Sequence, residues 1–415
     1  MKKALASVAA LLFGTSILLT GQGMQGTLLP TRASLESFPT IAIGVMGAAY
    51  FLGFTVGCLK GGELLRRVGH VRVFLAMTAL ASAIPLIHGM VLNPVVWSLL
   101  RALTGFCFAV LYVVIESWLN EQSSNENRGM IFSTYVMITL TMMAAGQMMT
   151  LIYSPTGLEL FIIASVLVSL GAIPVALSTS PSPELPEVVE LDMRRLIKIS
   201  PAGAIGCLIT GLANGSFWAL APVFTSSVSD DTSLAAWFMT SAVVGGALSQ
   251  WPLGSLSDLI GRRKVILLAT VFGFAVAAFI VMTFDTLGFV SVNVLGALWG
   301  AVAFPLYSIS VAHANDYAKP EDYVRLSSGL LLMYGAGAVV GPFLASMLIT
   351  GIGAGGLYAF TAMAHVALAV FVGLRMIRRQ ETPDEHHISF TDALATAHTA
   401  SQVYDEEIQQ QSEDE

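Results

Sequence analysis

Apolar and polar positions alternate on a long scale along this chain. Runs of about 20 apolar residues, the length an α-helix needs to cross a hydrocarbon core of about 30 Å, recur twelve times. They cover 4–29, 40–60, 71–92, 94–119, 129–153, 157–177, 200–226, 233–256, 263–284, 287–313, 324–350 and 353–377. Several hold Gly and Pro, which membrane helices tolerate better than soluble ones do. The pattern predicts an all-α integral membrane protein with twelve transmembrane helices. The first run opens MKKALASVAALLFGTSILLT, with two lysines before an apolar core as in a signal peptide. Its apolar character continues to Leu29 with no convincing small-residue cleavage site, so a first membrane helix is expected.

The longest polar connection, STSPSPELPEVVELDMRRLIK from Ser178 to Lys198, falls after six runs and before six more. Its Pro and Glu content is that of a linker. The halves also resemble each other: shifted by 195 residues, LTGFCFAVLYVVIESWLNE falls on LWGAVAFPLYSISVAHAND, and Gly105, Leu111 and Tyr112 meet Gly300, Leu306 and Tyr307. The expected organisation is two pseudo-symmetric six-helix bundles. Residues 1–177 form the first, 178–199 a cytoplasmic linker, 200–379 the second, and 380–415 an acidic cytoplasmic tail without regular structure.

Composition supports a membrane class. The 415 residues are 55% hydrophobic and 11% charged, against about 25% charged in soluble domains. The net charge of −7 resides in the tail, where ten acidic residues occur with no Lys or Arg; the rest holds 20 basic against 17 acidic residues. No nucleic-acid surface is implied. Positive charge sets orientation: with the N-terminus inside, eighteen Lys and Arg fall on the inner side and only Arg32 in an outer loop. Both termini are thus expected in the cytoplasm and the chain in the cytoplasmic (inner) membrane. Cys58, Cys107 and Cys207 all lie within apolar runs and read as small buried hydrophobes.

Two charges interrupt the fourth run. Arg101 and Glu116 share a helical stripe with Gly105, Phe108 and Tyr112. A charged stripe in a membrane helix faces the bundle interior or a water-filled cavity. At 1.5 Å per residue the two lie about 22 Å apart along the axis, so each needs its own partner. Glu116 is a carboxylate placed within a helix, which makes it a proton-coupling candidate; the competing reading has it cap the fifth helix or pair with Arg128. Gln22, Gln25, Tyr112, Asn214, Trp218 and Tyr307 are candidates for lining a central cavity, with Gln147, Gln250, Asn293 and Tyr334 behind them. Each could equally be an interhelical hydrogen bond. His313 falls at a helix end, and His386 with His387 lacks a spaced partner, so no metal site is expected. There is no P-loop, zincin pattern or nucleophile elbow; no enzyme, no cofactor and no ATP-driven transport by this chain alone is expected.

The loop GSLSDLIGRRKVI, Gly254 to Ile266, resembles the signature loop of the major facilitator superfamily through Gly254, Leu256, Asp258, Gly261, Arg262, Arg263 and Lys264. Gly254 is expected to let two helices approach closely, and Gly261 to permit a tight turn. The first-half copy, GELLRRVGHVRVF, keeps Gly62, Leu64 and Gly69 but carries Arg66 where the motif has aspartate. RALTGFCFA resembles the family's fourth-helix pattern through Arg101, Gly105 and Ala109. VVIESWLNEQSSNENRG, TLLP and GQ resemble a bacterial branch called YcaD-like. The resemblance implies the family's fold, a cytoplasmic gating loop, and a role for Arg101 in substrate or proton handling. The expected function is a monomeric secondary transporter that moves a small molecule by alternating access, as proton-coupled efflux of a neutral or lipophilic compound. Uptake of a small metabolite or organic acid is the alternative within this class, and a non-transporting receptor or scaffold is the alternative outside it.

Overall fold

The computed structural model describes residues 2–123, 128–177, 193–318, 323–378 and Phe390. The rest of the expected tail, and 178–192 of the expected linker, lie outside the described residues. The described chain is helical: α1 Lys2–Leu35, α2 Thr40–Val68, α3 His70–Met90, α4 Pro94–Glu121, α5 Arg128–Met149, α6 Glu159–Ala176, α7 Met193–Ile199, α8 Pro201–Val228, α9 Ser233–Ile260, α10 Arg262–Thr283, α11 Phe289–Ala303, α12 Pro305–Asn315, α13 Tyr323–Ile352 and α14 Gly356–Arg378. Among the described residues, eleven spans are long and apolar enough to cross a membrane. The eighth run forms α9, which has the length at 28 residues but carries Ser241, Ser249, Gln250, Ser255, Ser257 and Asp258 along its later turns. Packing against α11 and α5 takes much of that helix away from lipid.

The tenth run is interrupted. Pro305 has no N–H to donate to the carbonyl four residues back, and α11 passes to α12 at Phe304–Pro305. The orphaned Ala301 carbonyl is satisfied from outside, by Ser249 Oγ of α9 at 2.5 Å. Asn214 Nδ2 of α8 donates to the next exposed carbonyl, Ala303, at 3.4 Å. The interruption is therefore tied to two neighbouring helices.

Contacts repeat with the halves. In the first, α1 packs on α5 and α6, α2 on α4, and α3 on α4 and α6; in the second, α8 packs on α13 and α14, α9 on α11, and α10 on α11 and α14. Across the middle, α2 meets α13 and α5 meets α9. One close approach shows how far the repeat goes. A Cβ on Gly105 would lie 2.0 Å from the Tyr50 carbonyl oxygen, and one on Gly300 would lie 2.2 Å from that of Ala242. Both glycines let the fourth helix of a half press against the backbone of the second.

Candidate functional site

A cavity of about 350 Å³ lies between the halves. Its first-half wall comes from Gln22 and Gln25 of α1, Tyr50, Phe51, Phe54, Thr55 and Cys58 of α2, Arg101, Thr104, Phe108, Tyr112 and Glu116 of α4, and Tyr135, Thr139, Met143 and Gln147 of α5. Its second-half wall comes from Trp218 and Ala219 of α8, Tyr307 of α12, and Leu331, Leu332, Tyr334 and Gly335 of α13. At the end away from the basic loops, two hydrogen bonds join the halves. There Ser34 and Ser226 share a hydrogen bond at 3.1 Å, and Thr240 Oγ1 donates to Gln147 Oε1 at 3.1 Å.

The stripe on α4 is delivered to this cavity with one change. Arg101, Phe108, Tyr112 and Glu116 line it, while Gly105 is turned onto α2, and Thr104 takes the lining position. Helical spacing alone cannot separate the two positions, which are one residue apart.

Arg101 and Glu116 are held very differently. The Arg101 guanidinium lies over the Tyr50 ring, 4.2 Å from its centroid. Among the described residues it has no hydrogen-bond acceptor and no carboxylate. Below it, the Tyr112 hydroxyl donates to Gln22 Oε1 at 2.7 Å, and Gln22 Nε2 donates to the Tyr50 hydroxyl at 2.9 Å. Glu116 is 1% exposed. Its Oε1 accepts from the Tyr135 hydroxyl at 3.2 Å, and its Oε2 has no partner. The side chain of Arg128, its expected alternative partner, lies outside the described residues. Two unit charges about 22 Å apart interact by under about 1 kcal/mol at an effective dielectric of about 20, against roughly 4 kcal/mol at 4 Å. Neither charge thus relieves the other.

The remaining expected residues divide. Gln22, Gln25, Tyr112, Trp218, Tyr307, Gln147 and Tyr334 all reach the cavity wall. Trp218 is stacked on Phe304 at 5.4 Å, and Tyr307 meets Tyr334 edge-on at 4.9 Å. Asn214 does not line the cavity, because the interrupted helix takes its amide. Gln250 donates to Ser308 Oγ at 2.9 Å, and Asn293 to the Phe289 carbonyl of its own helix at 2.7 Å; neither lines the cavity. The α2 residues Tyr50, Phe54 and Cys58 were not among the sequence candidates, although they recur at every fourth position. Cys58 departs from the reading of the cysteines as buried: it is half-buried and lines the wall, whereas Cys107 and Cys207 are buried.

At the basic end, the signature loop joins three helices. Gly261 takes φ 98° between α9 and α10, the left-handed region that glycine adopts without strain. Arg262, 3% exposed, pairs with Asp258 at 2.5 Å and with Asp316, just past the end of α12, at 3.4 Å, and donates to Ser257 Oγ at 2.5 Å. Arg263 donates to the Tyr317 hydroxyl. Gly254 corrects the expectation of a helix contact: its open face is filled by the ring of Phe390, whose N–H donates to Asp258 Oδ2 at 3.3 Å. The first-half loop shares the turn, with Gly69 at φ 90°, but differs in its ion pairs. Glu63 pairs with Lys60 at 3.3 Å and Arg67 at 2.5 Å. His70 stands where the second loop has Arg262 and meets Ser117 of α4 at 3.1 Å. Nothing lies within 4 Å of the space beside Gly62.

Comparisons with known proteins agree with this architecture. The uncharacterized MFS-type transporter YcaD of Escherichia fergusonii is 27% identical over 346 residues, 82% of this chain and 88% of that protein. The uncharacterized MFS-type transporter YE1530 of Yersinia enterocolitica is 27% identical over 386 residues, 91% and 97% of the two chains. Among solved structures, the nucleoside transporter NupG superposes with a TM-score of 0.77 at 14% identity, covering 90% of this chain and 100% of that one. A bacterial homolog to the human lysosomal transporter Spinster superposes at 0.69 and 12% identity, covering 97% and 99%. The family model for the Major Facilitator Superfamily matches twice, over residues 11–202 and 203–403. The chain belongs to the Major Facilitator Superfamily, in its YcaD branch, as a multi-pass membrane transporter and not an enzyme.

Proposed function

We propose that this transporter carries a small molecule with an apolar body through the cavity between its halves, by alternating access coupled to protons. The observation that carries the reading is the pair of unrelieved charges on α4, Arg101 and Glu116, which line one cavity at opposite ends. An unpaired charge kept inside a membrane bundle needs a functional reason, since charges there are costly. Glu116, with one free oxygen and a tyrosine hydroxyl on the other, is the proton carrier in this reading. Arg101 stays charged and so serves the substrate or sets the local potential. The halves, residues 1–177 and 200–379, rock about the cavity, and the signature loop latches the basic end. That end faces the cytoplasm of the inner membrane, with both termini inside and the chain a monomer. The wall carries many polar groups, but most of the surface it shows to the cavity is apolar, which favours efflux over tight uptake.

The test is proton movement in proteoliposomes under an imposed pH gradient, with panels of organic acids, lipophilic cations, sugars and neutral aromatics. The reading expects a substrate-dependent proton flux that Arg101→Ala abolishes. Movement of labelled solute with no proton flux removes the coupling. Flux untouched by Arg101→Ala removes the arginine from the mechanism.

A further inference from the structure

We infer that the substrate of this cavity is a monoanion, an organic acid carrying an apolar and preferably aromatic body. The inference rests on the reading of the cavity as the substrate site and adds the chemical class to it.

A guanidinium presents a planar fork of donors that fits a carboxylate with two parallel hydrogen bonds. Inside proteins that fork is normally filled, because an unpaired buried charge is costly. Arg101 is half-buried and faces the cavity, and there its fork is empty among the described residues. The Tyr50 ring lies against the guanidinium face at 4.2 Å, which fixes the group by cation–π attraction without using its N–H donors. The relay beneath adds a second donor. Tyr112 donates to Gln22 and Gln22 to the Tyr50 oxygen, so the Tyr50 hydroxyl proton remains free for an acceptor. Arg101 and Tyr50 thus make a two-part anion seat.

The rest of the lining defines the body and the charge. Phe51, Phe54, Phe108, Met143, Trp218 and Leu332 are the apolar surface beyond the seat. The cavity, about 350 Å³, is near the small end of the roughly 300–1,000 Å³ typical of small-molecule sites. Arg101 is the one cation in the lining. A doubly charged phosphate would leave one charge without a partner, whereas a carboxylate is matched. A cationic compound would meet Arg101 with like charge at the seat, since the carboxyl of Glu116 lies at the other end of the cavity, about 22 Å along the helix.

The experiment uses three probes with one body: 3-phenylpropionate, its amide and the corresponding 3-phenylpropylamine. Binding to the full chain in detergent is measured by titration calorimetry and by thermal shift. The acid is expected to bind roughly tenfold to a hundredfold more tightly than the amide and the amine least. Arg101→Gln should bring acid and amide to equal affinity while leaving the amide where it was. Tyr50→Phe, which keeps the ring, should weaken the acid several-fold and spare the amide; it serves if Arg101→Gln does not fold. Equal affinity for acid, amide and amine, or affinity for none at millimolar concentration, overturns the inference. So does an acid preference that survives Arg101→Gln. The underlying reading is separated by Ala219→Trp, which fills the cavity. If another solute is transported and this variant stops it, the cavity remains the substrate site and only the anion is wrong. If acid binding persists in Ala219→Trp, the site is elsewhere and both readings fall.

Discussion

The fourth helix of the first half and its counterpart in the second, α4 and the α11–α12 pair, show what a duplicated fold keeps and what it changes. The packing is kept. Gly105 and Gly300 occupy matching positions and each admits the backbone of the second helix of its half. Tyr112 and Tyr307 also match, and both line the cavity. The chemistry is changed. Arg101 corresponds to Gly296 and Glu116 to Val311, so the first half supplies both charges and the second neither. The backbone differs in the opposite sense: α4 runs unbroken through Val110, while the matching Pro305 interrupts the second copy. One half is a chemical wall on an unbroken helix. The other is an aromatic and aliphatic wall on an interrupted one.

The first way to break the comparison is to attack what is shared. Gly105→Ala and Gly300→Ala each push a methyl into a backbone carbonyl that cannot step aside, so each should destabilise by about 3 kcal/mol or more. Thermal unfolding of the two variants should show losses of similar size; a mild effect at one site would mean that the repeat in packing is only apparent. The chemistry should behave asymmetrically. Arg101→Gln is expected to lower transport by about a hundredfold, in line with the roughly 3 kcal/mol attached to losing one side of a charge-assisted contact, with little change in folded yield. Glu116→Gln should abolish gradient-driven accumulation yet leave substrate exchange within about twofold, because exchange needs no net proton step. Loss of both activities together would make Glu116 a structural group, for which an uncharged amide is a poor substitute beside Tyr135. The smallest effect belongs to the interruption. Ser249→Ala leaves the Ala301 carbonyl unpaired, worth about 1–3 kcal/mol; Pro305→Ala in the same background restores the missing N–H and should recover most of that stability. If it does not, the carbonyl is satisfied some other way.

How much of this was legible beforehand differs between fold and site. Long apolar runs carry the number and place of the membrane-length helices because the bilayer imposes a length rule on each helix separately. The signature loop was readable for the same reason: its turn glycine and basic residues act locally. The faces of helices were harder. In a bilayer, lipid-facing and helix-facing surfaces are both apolar, so periodicity marks a face only where polar residues interrupt it. Arg101 and Glu116 did so, and their helix was placed correctly, but Gly105 was assigned to the wrong side of it. On α2 the stripe Tyr50, Phe54 and Cys58 has only a hydroxyl and a thiol to distinguish it from its surroundings. The contact between Phe390 and Gly254 depends on residues 136 apart, and nothing near either announces the other. Asn214 was sound as a polar residue facing inward, yet the carbonyl that accepts from its amide, that of Ala303, lies in another helix.

The position of Cys58 gives the chain a built-in reporter. With Cys107 and Cys207 shut inside helix packing, a small maleimide applied to the native protein has one thiol to find, and that thiol stands on the wall of the cavity. The rate at which it is modified then becomes a clock for vacancy: a compound seated in the cavity slows labelling, an irrelevant one does not, and no residue needs to be introduced to read the difference.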